Sequence, residues 1–435
     1  MASSTIPDRA LGPGALRPVE EPEALRAPTR AVGLGFQLSL CAVNVVMWLG
    51  LPIGQIVLAR QVEGIDPAHK VSSYGLVTAV GALVALVVTP LAGALSDRTT
   101  SRFGRRRPWI LGCALGSAGA LTLLAHSATI GILVAAWALG QVPGNGMGAA
   151  VAAVVPDRIP VRQRATASAI IGLSQPLAIV GGSVLFSYVL KGVAAPYAFN
   201  AIALVLVAAL FVLALRDAPL PAEAVAPLHL GAFLKGFWIS PRAYPDFAWA
   251  WLTRFLVILG YALTTGYLLY FLEDAVHYTR LFPRGTAEQG VATLQLISVG
   301  ALLVSSVATG VLSDRLGRRK VFVMGSSATI AVALLLLSFV QTWPAVELAA
   351  AIVGLGFGAY IAVDLALITQ VLPSAGARAK DLGIINIANA TPYVLAPALS
   401  ALVVGTTHSY TPLFLSAAVV TLLGAALVRP IKGVR

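Results

Sequence analysis

Apolar runs about as long as a bilayer is thick dominate this chain, and short polar breaks separate them. Runs of about 18 or more predominantly apolar residues fall near 32–59, 71–95, 108–126, 129–155, 165–190, 197–215, 247–272, 291–312, 321–341, 344–372, 383–405 and 411–428. Inside lipid no water can pair with backbone N–H and C=O groups, so a run of this length satisfies them within itself, as a helix. Composition points the same way. With 58% hydrophobic and 11% charged residues, a chain of 435 residues lacks the polar surface of a water-soluble protein. The expected fold class is an all-α membrane protein with twelve transmembrane helices.

The net charge of +12 would suggest nucleic acid in a soluble chain. Here the basic residues sit in the short breaks, which points to membrane orientation instead. The densest break runs from Gly93 to Ile110 and carries Asp97 beside Arg98, Arg102, Arg105, Arg106 and Arg107, with glycines expected at its tight turns and Pro108 opening the next helix. Unpaired charges of this number belong in water. Most of the 30 Lys and Arg fall on the same side as this break, so that side is expected to be cytoplasmic, with both termini on it. The expected location is the plasma membrane. The first 31 residues are Pro- and Glu-rich without an apolar core, and read as a flexible cytoplasmic tail. Cys41 and Cys113 each lie within an apolar run and read as small core residues.

The chain repeats itself. Gly310, Asp314, Arg315, Gly317, Arg318 and Arg319 restate the earlier break, Gly310 matching Gly93 and Asp314 matching Asp97 at an offset of about half the chain. Pro156 after the fourth run matches Pro373 after the tenth, and Pro176 matches Pro392 with a slip of one. The implied organisation is a six-helix half over 32–215, a cytoplasmic linker over 216–246, a pseudo-symmetric six-helix half over 247–428, and a short tail over 429–435. The linker reads as a plain connector, although its apolar piece 228–239 could form a short interfacial helix.

The second copy matches the G-x-x-x-D-R-x-G-R-R signature and so resembles the major facilitator superfamily. The first copy differs by about four residues inserted before Gly104. With Ser96-Asp97-Arg98, Thr100-Ser101-Arg102 and Gly104-Arg105-Arg106-Arg107-Pro108, it resembles the sucrose transporter branch, related to the glycoside, pentoside and hexuronide cation symporters; Gln37-Leu38-Ser39-Leu40 is similar to that branch too. The resemblance implies a secondary active transporter working by alternating access, a proton-coupled symporter of a sugar or glycoside. It also implies that Gly93, Asp97, Arg98, Gly104, Arg105, Arg106, Gly310, Asp314, Arg315, Gly317, Arg318 and Arg319 form gating loops, with Asp97 and Asp314 as latches. Two departures stand out. Gln141 and Ala152 occupy the positions where that branch carries a proton-coupling Asp and a substrate-binding Arg, and Leu215-Arg216-Asp217-Ala218-Pro219 replaces the sugar-porter P-E-S-P-R. An efflux antiporter for amphipathic drugs or metabolites is the alternative, faintly supported by Gln175-Pro176 with Gly181-Gly182.

In that fold spans 1, 4, 7 and 10 are implied to line a central cavity. Gln37, Cys41, Asn44, Trp48 and Gln55 recur at four, three, four and seven residues, a narrow stripe on a 3.6-period helix; Trp137, Gln141 and Asn145 form a second stripe in span 4. Amides that both donate and accept, with indoles that stack on ring faces, suit a neutral hydroxyl-rich or amphipathic ligand. Helix–helix hydrogen bonding would use the same residues. Arg254 in span 7 and Asp364 in span 10 are full charges inside apolar runs, both at a depth of roughly 10–12 Å by helix rise, and are expected to pair, with Asp364 able to take a proton or substrate when released. Tyr261, Thr265 and Tyr360 share their faces. Asn386, Asn389 and Tyr393, and Gln295 and Ser298, fit either the cavity or helix contacts. Glu273 and Asp274 end span 7 and read as solvated.

Nothing in the sequence matches a hydrolase, zinc-protease or phosphate-loop motif, and the five histidines are scattered. No enzymatic role, cofactor or metal is expected. The expected partners are a small-molecule substrate, a proton or other cation, and the lipid bilayer, with no nucleic acid and a monomeric chain.

Overall fold

The computed structural model describes residues 22–25, 28–225, 242, 244–370 and 378–431. The apolar linker piece 228–239, most of the tail 1–31, Pro373 and the side chain of Asn386 lie outside the described residues. The twelve long helices are α1 (Leu34–Ile65), α2 (Lys70–Asp97), α3 (Arg107–Ala125), α4 (Ile130–Arg158), α5 (Val161–Val189), α6 (Ala194–Ala214), α7 (Pro245–Thr265), α8 (Ala287–Leu316), α9 (Arg319–Phe339), α10 (Trp343–Gln370), α11 (Arg378–Thr407) and α12 (Thr411–Ala426).

Among the described residues, ten helices are long and apolar enough to cross a membrane. Two others fall outside that set for local reasons. α12 is apolar but has 16 residues. α4 has 29 residues, but Gln141, Asn145 and the prolines and glycines among them dilute its hydropathy. Those diluting residues are its candidate cavity stripe.

Local chemistry sets the helix ends. Thr129 Oγ1 accepts from the Ile132 amide at the start of α4, and Thr286 with Gln289 forms a reciprocal capping box on α8. Pro108 sits in the first turn of α3, where its missing N–H costs nothing. α8 stops at Gly317, whose φ of 64° closes the helix in the left-handed region.

Packing repeats every six helices. α2 lies on α4 and α8 on α10; α3 lies on α4 and α6, and α9 on α10 and α12; α1 meets α5 and α6, and α7 meets α11 and α12. The halves join by the exchanged pairs α2 with α11 and α5 with α8. This is a pseudo-two-fold arrangement of two six-helix halves.

Three local readings need correction. Gly93 and Gly310 are not turn residues: each lies inside its helix, α2 or α8. A Cβ at Gly93 would only touch Ala149 of α4, and one at Gly310 would only touch Ala362 of α10, so each faces its neighbouring helix in ordinary contact. Gly104, with φ of 102°, is the loop glycine that turns. The run 247–272 is not one helix. α7 ends at Thr265, and a second helix, Leu268–Asp274, follows after Gly266 and Tyr267. Tyr267 hydroxyl donates toward the carbonyls of Val71 in α2 and Pro397 in α11, both at 3.1 Å, so the break serves a contact between halves. Finally, α1 is not of uniform pitch. Pro52 offers no amide hydrogen, and residues Ile53–Leu58 form a wider π-helical turn.

Candidate functional site

The π-helical turn changes which way the first candidate stripe points. Before it, Gln37 is buried, Cys41 Sγ reaches the Ile170 carbonyl of α5 at 3.3 Å, and Asn44 Nδ2 donates to Leu40 of its own helix at 2.8 Å. Trp48 is 39% exposed. Within the turn, Gln55 Oε1 accepts from Gln295 Nε2 of α8 at 2.9 Å, joining the two halves. A constant 3.6-residue period carried from Gln37 to Gln55 misses this change of phase.

In α4 the stripe stays together. Asn145 Nδ2 donates to the Gln141 carbonyl at 2.9 Å, and its Oδ1 accepts from Thr89 of α2 at 3.1 Å. Trp137 packs where Gly54 of α1 and Gly81 of α2 leave room for an indole. Trp137, Gln141 and Asn145 are all half-buried.

Across the molecule, Arg254 of α7 and Asp364 of α10 form an ion pair, Nη1 to Oδ2. Their side chains are 14% and 4% exposed. Arg254 Nε also donates to Asn389 Oδ1 of α11, and Tyr360 hydroxyl donates to the other Asp364 oxygen at 2.8 Å. A buried carboxylate without donors would be strongly destabilised; here a guanidinium and a phenol supply them. Tyr261 stacks on Phe357 with centroids 3.8 Å apart and planes within 2°, and Phe357 continues toward Tyr360. Thr265 is half-buried near the end of α7. Three helices of the second half thus converge on one charged node. Asn389 belongs to it, and the sequence offered no means of choosing that role over a plain helix contact.

At the face carrying the 93–110 break, Arg106 is the organising residue, at 4% exposure. It donates to Asp97 at 2.5 Å, Asp157 at 2.9 Å and Ser96 at 2.8 Å. Arg105 pairs with Asp157 at 2.8 Å. Asp217, which the sequence showed only as a departure from a motif, accepts from the Arg106 and Arg107 amides at 2.6 and 2.9 Å and so caps α3. A Cβ at Gly104 would collide with that carboxylate. In the second copy Arg319 stands 3.8 Å from Asp314. Each of these ion pairs stays within one half.

The opposite face differs. Arg60 of α1 pairs with Glu273 and with Glu288 of α8, both at 2.6 Å, and Lys70 of α2 pairs with Asp274 at 2.8 Å. These bonds cross between the halves. Glu273 is not solvated as the sequence suggested: its side chain is 14% exposed, because the helix break folds it inward against Arg60. Desolvation by burial pushes its carboxyl up to about 7. A cavity of about 900 Å³ lies elsewhere, at the base of the first half, lined by Val32, Phe36, Asp157, Arg158, Arg216 and Asp217 among others. None of the candidate cavity residues lines it.

The description of the Major Facilitator Superfamily matches residues 64–307 and 285–433. The chain belongs to this superfamily. Local similarity to curated relatives runs to sugar transporters. A stretch of 72 residues, 17% of the chain, is 47% identical to Proton-associated sugar transporter A of Homo sapiens, and covers 9% of that protein. Over 129 residues, 30% of the chain, it is 30% identical to Sucrose transport protein SUC4 of Arabidopsis thaliana, covering 23% of that protein. The matched stretches therefore span less than a quarter of these relatives. Among solved structures, the nucleoside transporter NupG superposes with a TM-score of 0.70 at 14% identity, covering 92% of this chain and 99% of that one. A bacterial homolog of the human lysosomal transporter Spinster, in an inward-facing and unoccupied conformation, gives 0.66 at 13%, covering 91% and 94%. These two likenesses concern the fold.

Proposed function

We propose that this superfamily member is a proton-coupled symporter of a sugar or glycoside, working by alternating access in the plasma membrane with both termini cytoplasmic. The observation that carries the coupling is the Arg254–Asp364 pair, buried where α7, α10 and α11 meet. The local similarity to sugar transporters supports the cargo. Buried charges inside spans are costly and mark ion or substrate paths. In this reading Asp364, held by Arg254 and Tyr360 in the conformation described, exchanges Arg254 for a proton as the halves rock. The amides Gln55, Gln141 and Asn145 with Trp48 and Trp137 then offer donors, acceptors and ring faces to sugar hydroxyls and C–H surfaces. Gln37, Asn44, Tyr261 and Thr265 complete the wall.

The bonds crossing between halves lie at the face opposite the arginine-rich loops. With those loops cytoplasmic, that face is the outer one, and the conformation is shut outside and inward-facing. The loops built on Asp97 and Asp314 rearrange when the inner face closes.

Uptake into proteoliposomes under an imposed pH gradient, against a panel of disaccharides, glycosides and amphipathic drugs, tests this. The expectation is that a sugar or glycoside accumulates with the gradient, and that Asp364→Asn abolishes gradient-driven accumulation at normal expression while leaving substrate exchange. Drug extrusion without sugar exchange would establish the antiporter instead, and intact accumulation in Asp364→Asn would remove the coupling role.

A further inference from the structure

The network on the outer face is unbalanced. Arg60 and Lys70 are its cations, and they share Glu63, Glu273, Glu288 and Asp274. Four carboxylates therefore meet two cations. Arg60 and Lys70 each also bind Glu63 of their own half, at 2.5 and 2.8 Å. Glu273 is held closely through Oε1 alone, by Arg60 at 2.6 Å. Its Oε2 is buried without a hydrogen-bond partner, and Lys70 Nζ stands off at 3.6 Å. Glu63 and Glu273 stand side by side on the same two cations: they take the two Nη atoms of Arg60 at 2.5 and 2.6 Å, and lie 2.8 and 3.6 Å from Lys70 Nζ. Two carboxylates that close cannot both stay ionised without cost, and sharing one proton turns their repulsion into a hydrogen bond.

We infer that the outer face, when shut, binds one proton between Glu63 of the first half and Glu273 of the second, and that this proton locks the face closed. The surroundings fit. Tyr270 lies under Lys70, with the ammonium 5.0 Å from its ring centre, and its hydroxyl donates a hydrogen bond to the Ala59 carbonyl. Tyr410 hydroxyl donates to Asp274 at 3.0 Å. The His277 ring faces the Glu273 carbonyl, on the solvent side, and His69 is engaged with Asp66. Glu288 Oε2, on the same Arg60, is likewise buried without a hydrogen-bond partner.

Opening separates Glu273, Asp274 and Glu288 from Arg60, Glu63 and Lys70, so each carboxylate regains water. The sign follows. In the shut form burial raises Glu273 from 4.5 to about 7; the water that returns on opening removes that cause, so the shut form binds the proton more tightly. Closure is most favoured at acidic outer pH, and that preference is lost as pH rises from about 4.5 through about 7. Over pH 5 to 8 the shut-to-open ratio should fall on the order of tenfold or more.

The inference needs a face that opens and shuts; it does not depend on the cargo or on Asp364. The test is made without substrate. In a background of Cys41→Ala and Cys113→Ala, spin labels at Ala68→Cys and Arg284→Cys, both exposed and on opposite halves, report the outer separation in lipid nanodiscs by pulsed dipolar spectroscopy. Short distances should dominate at pH 5 and give way to longer ones through pH 7. Glu273→Gln, permanently neutral, should keep the short population at pH 8, and Glu63→Gln, which removes the repelling partner, should do likewise if the first variant is not monodisperse. In Asp364→Asn the short population should still give way to longer distances through pH 7, and adding Glu273→Gln to that variant should remove this remaining response, which separates this site from the coupling node. A distribution that is the same at pH 5 and 8, that lengthens on acidification, or that titrates in Glu273→Gln as in the parent protein would overturn the inference.

Discussion

Arg254 shows how a single residue's meaning depends on what surrounds it. Its charge in an apolar run announces a partner, and the sequence pointed to Asp364 by depth and charge. The further bonds to Asn389 and from Tyr360 turn the pair into a four-residue node over three helices. Removing one member of a buried pair leaves the other without compensation, at a cost of about 3–5 kcal/mol. We therefore expect Arg254→Leu to lower thermal stability in detergent more than Arg254→Leu combined with Asp364→Asn, with a coupling energy of at least about 1 kcal/mol in the double-mutant cycle. Equal destabilisation by the single and double variants would mean that Asp364 is content without the guanidinium. Asp217 makes the complementary point. Its role as the α3 cap is local in space but distant in sequence, so only folding brings it to Arg106 and Arg107.

At the scale of helices, glycines decide how closely neighbours approach. α8 and α10 pack through Gly354 and Gly358, where an added Cβ would collide with the Ser298 carbonyl and with Ser305 and the Leu302 carbonyl. Helices in lipid gain their association from such close packing, since burying apolar surface there yields little. Gly354→Ala should push α10 off α8 and cost about 1–3 kcal/mol, read as a lowered unfolding temperature of the purified protein. An unchanged temperature would show that the helices can slide apart cheaply. The frequency of glycine within spans was plain in the sequence, but which were contacts and which were turns was not. Gly93 and Gly104 illustrate it: neighbouring members of one motif, one inside α2 facing Ala149 of α4, the other at φ of 102° in the loop.

For the whole molecule, closure of the face opposite the arginine-rich loops rests on two kinds of contact, ion pairs at the rim and helix packing beneath. The packing centres on Gly75 of α2, where a Cβ would collide with Ala401 of α11 and crowd the Tyr267 hydroxyl. Gly75→Val should prop the halves apart on that face. Hydrogen–deuterium exchange in residues 268–288 should then rise at least severalfold over the parent protein, and the same protection in both would place the hinge of closure elsewhere. By itself the sequence determined the class of fold, the number of spans, the repeat and the superfamily. Each of these follows from hydropathy and short motifs, which are local and need no knowledge of neighbours. It also marked Arg254 and Asp364, because a charge in lipid is conspicuous wherever it sits. Only the tertiary structure decided that Glu273 is drawn in against Arg60, that Gln55 meets Gln295, and that one face is shut. Those facts depend on a helix break at Gly266 and Tyr267, a change of pitch after Pro52 and the mutual placement of two halves, and such contacts between distant residues leave no periodic trace along the chain.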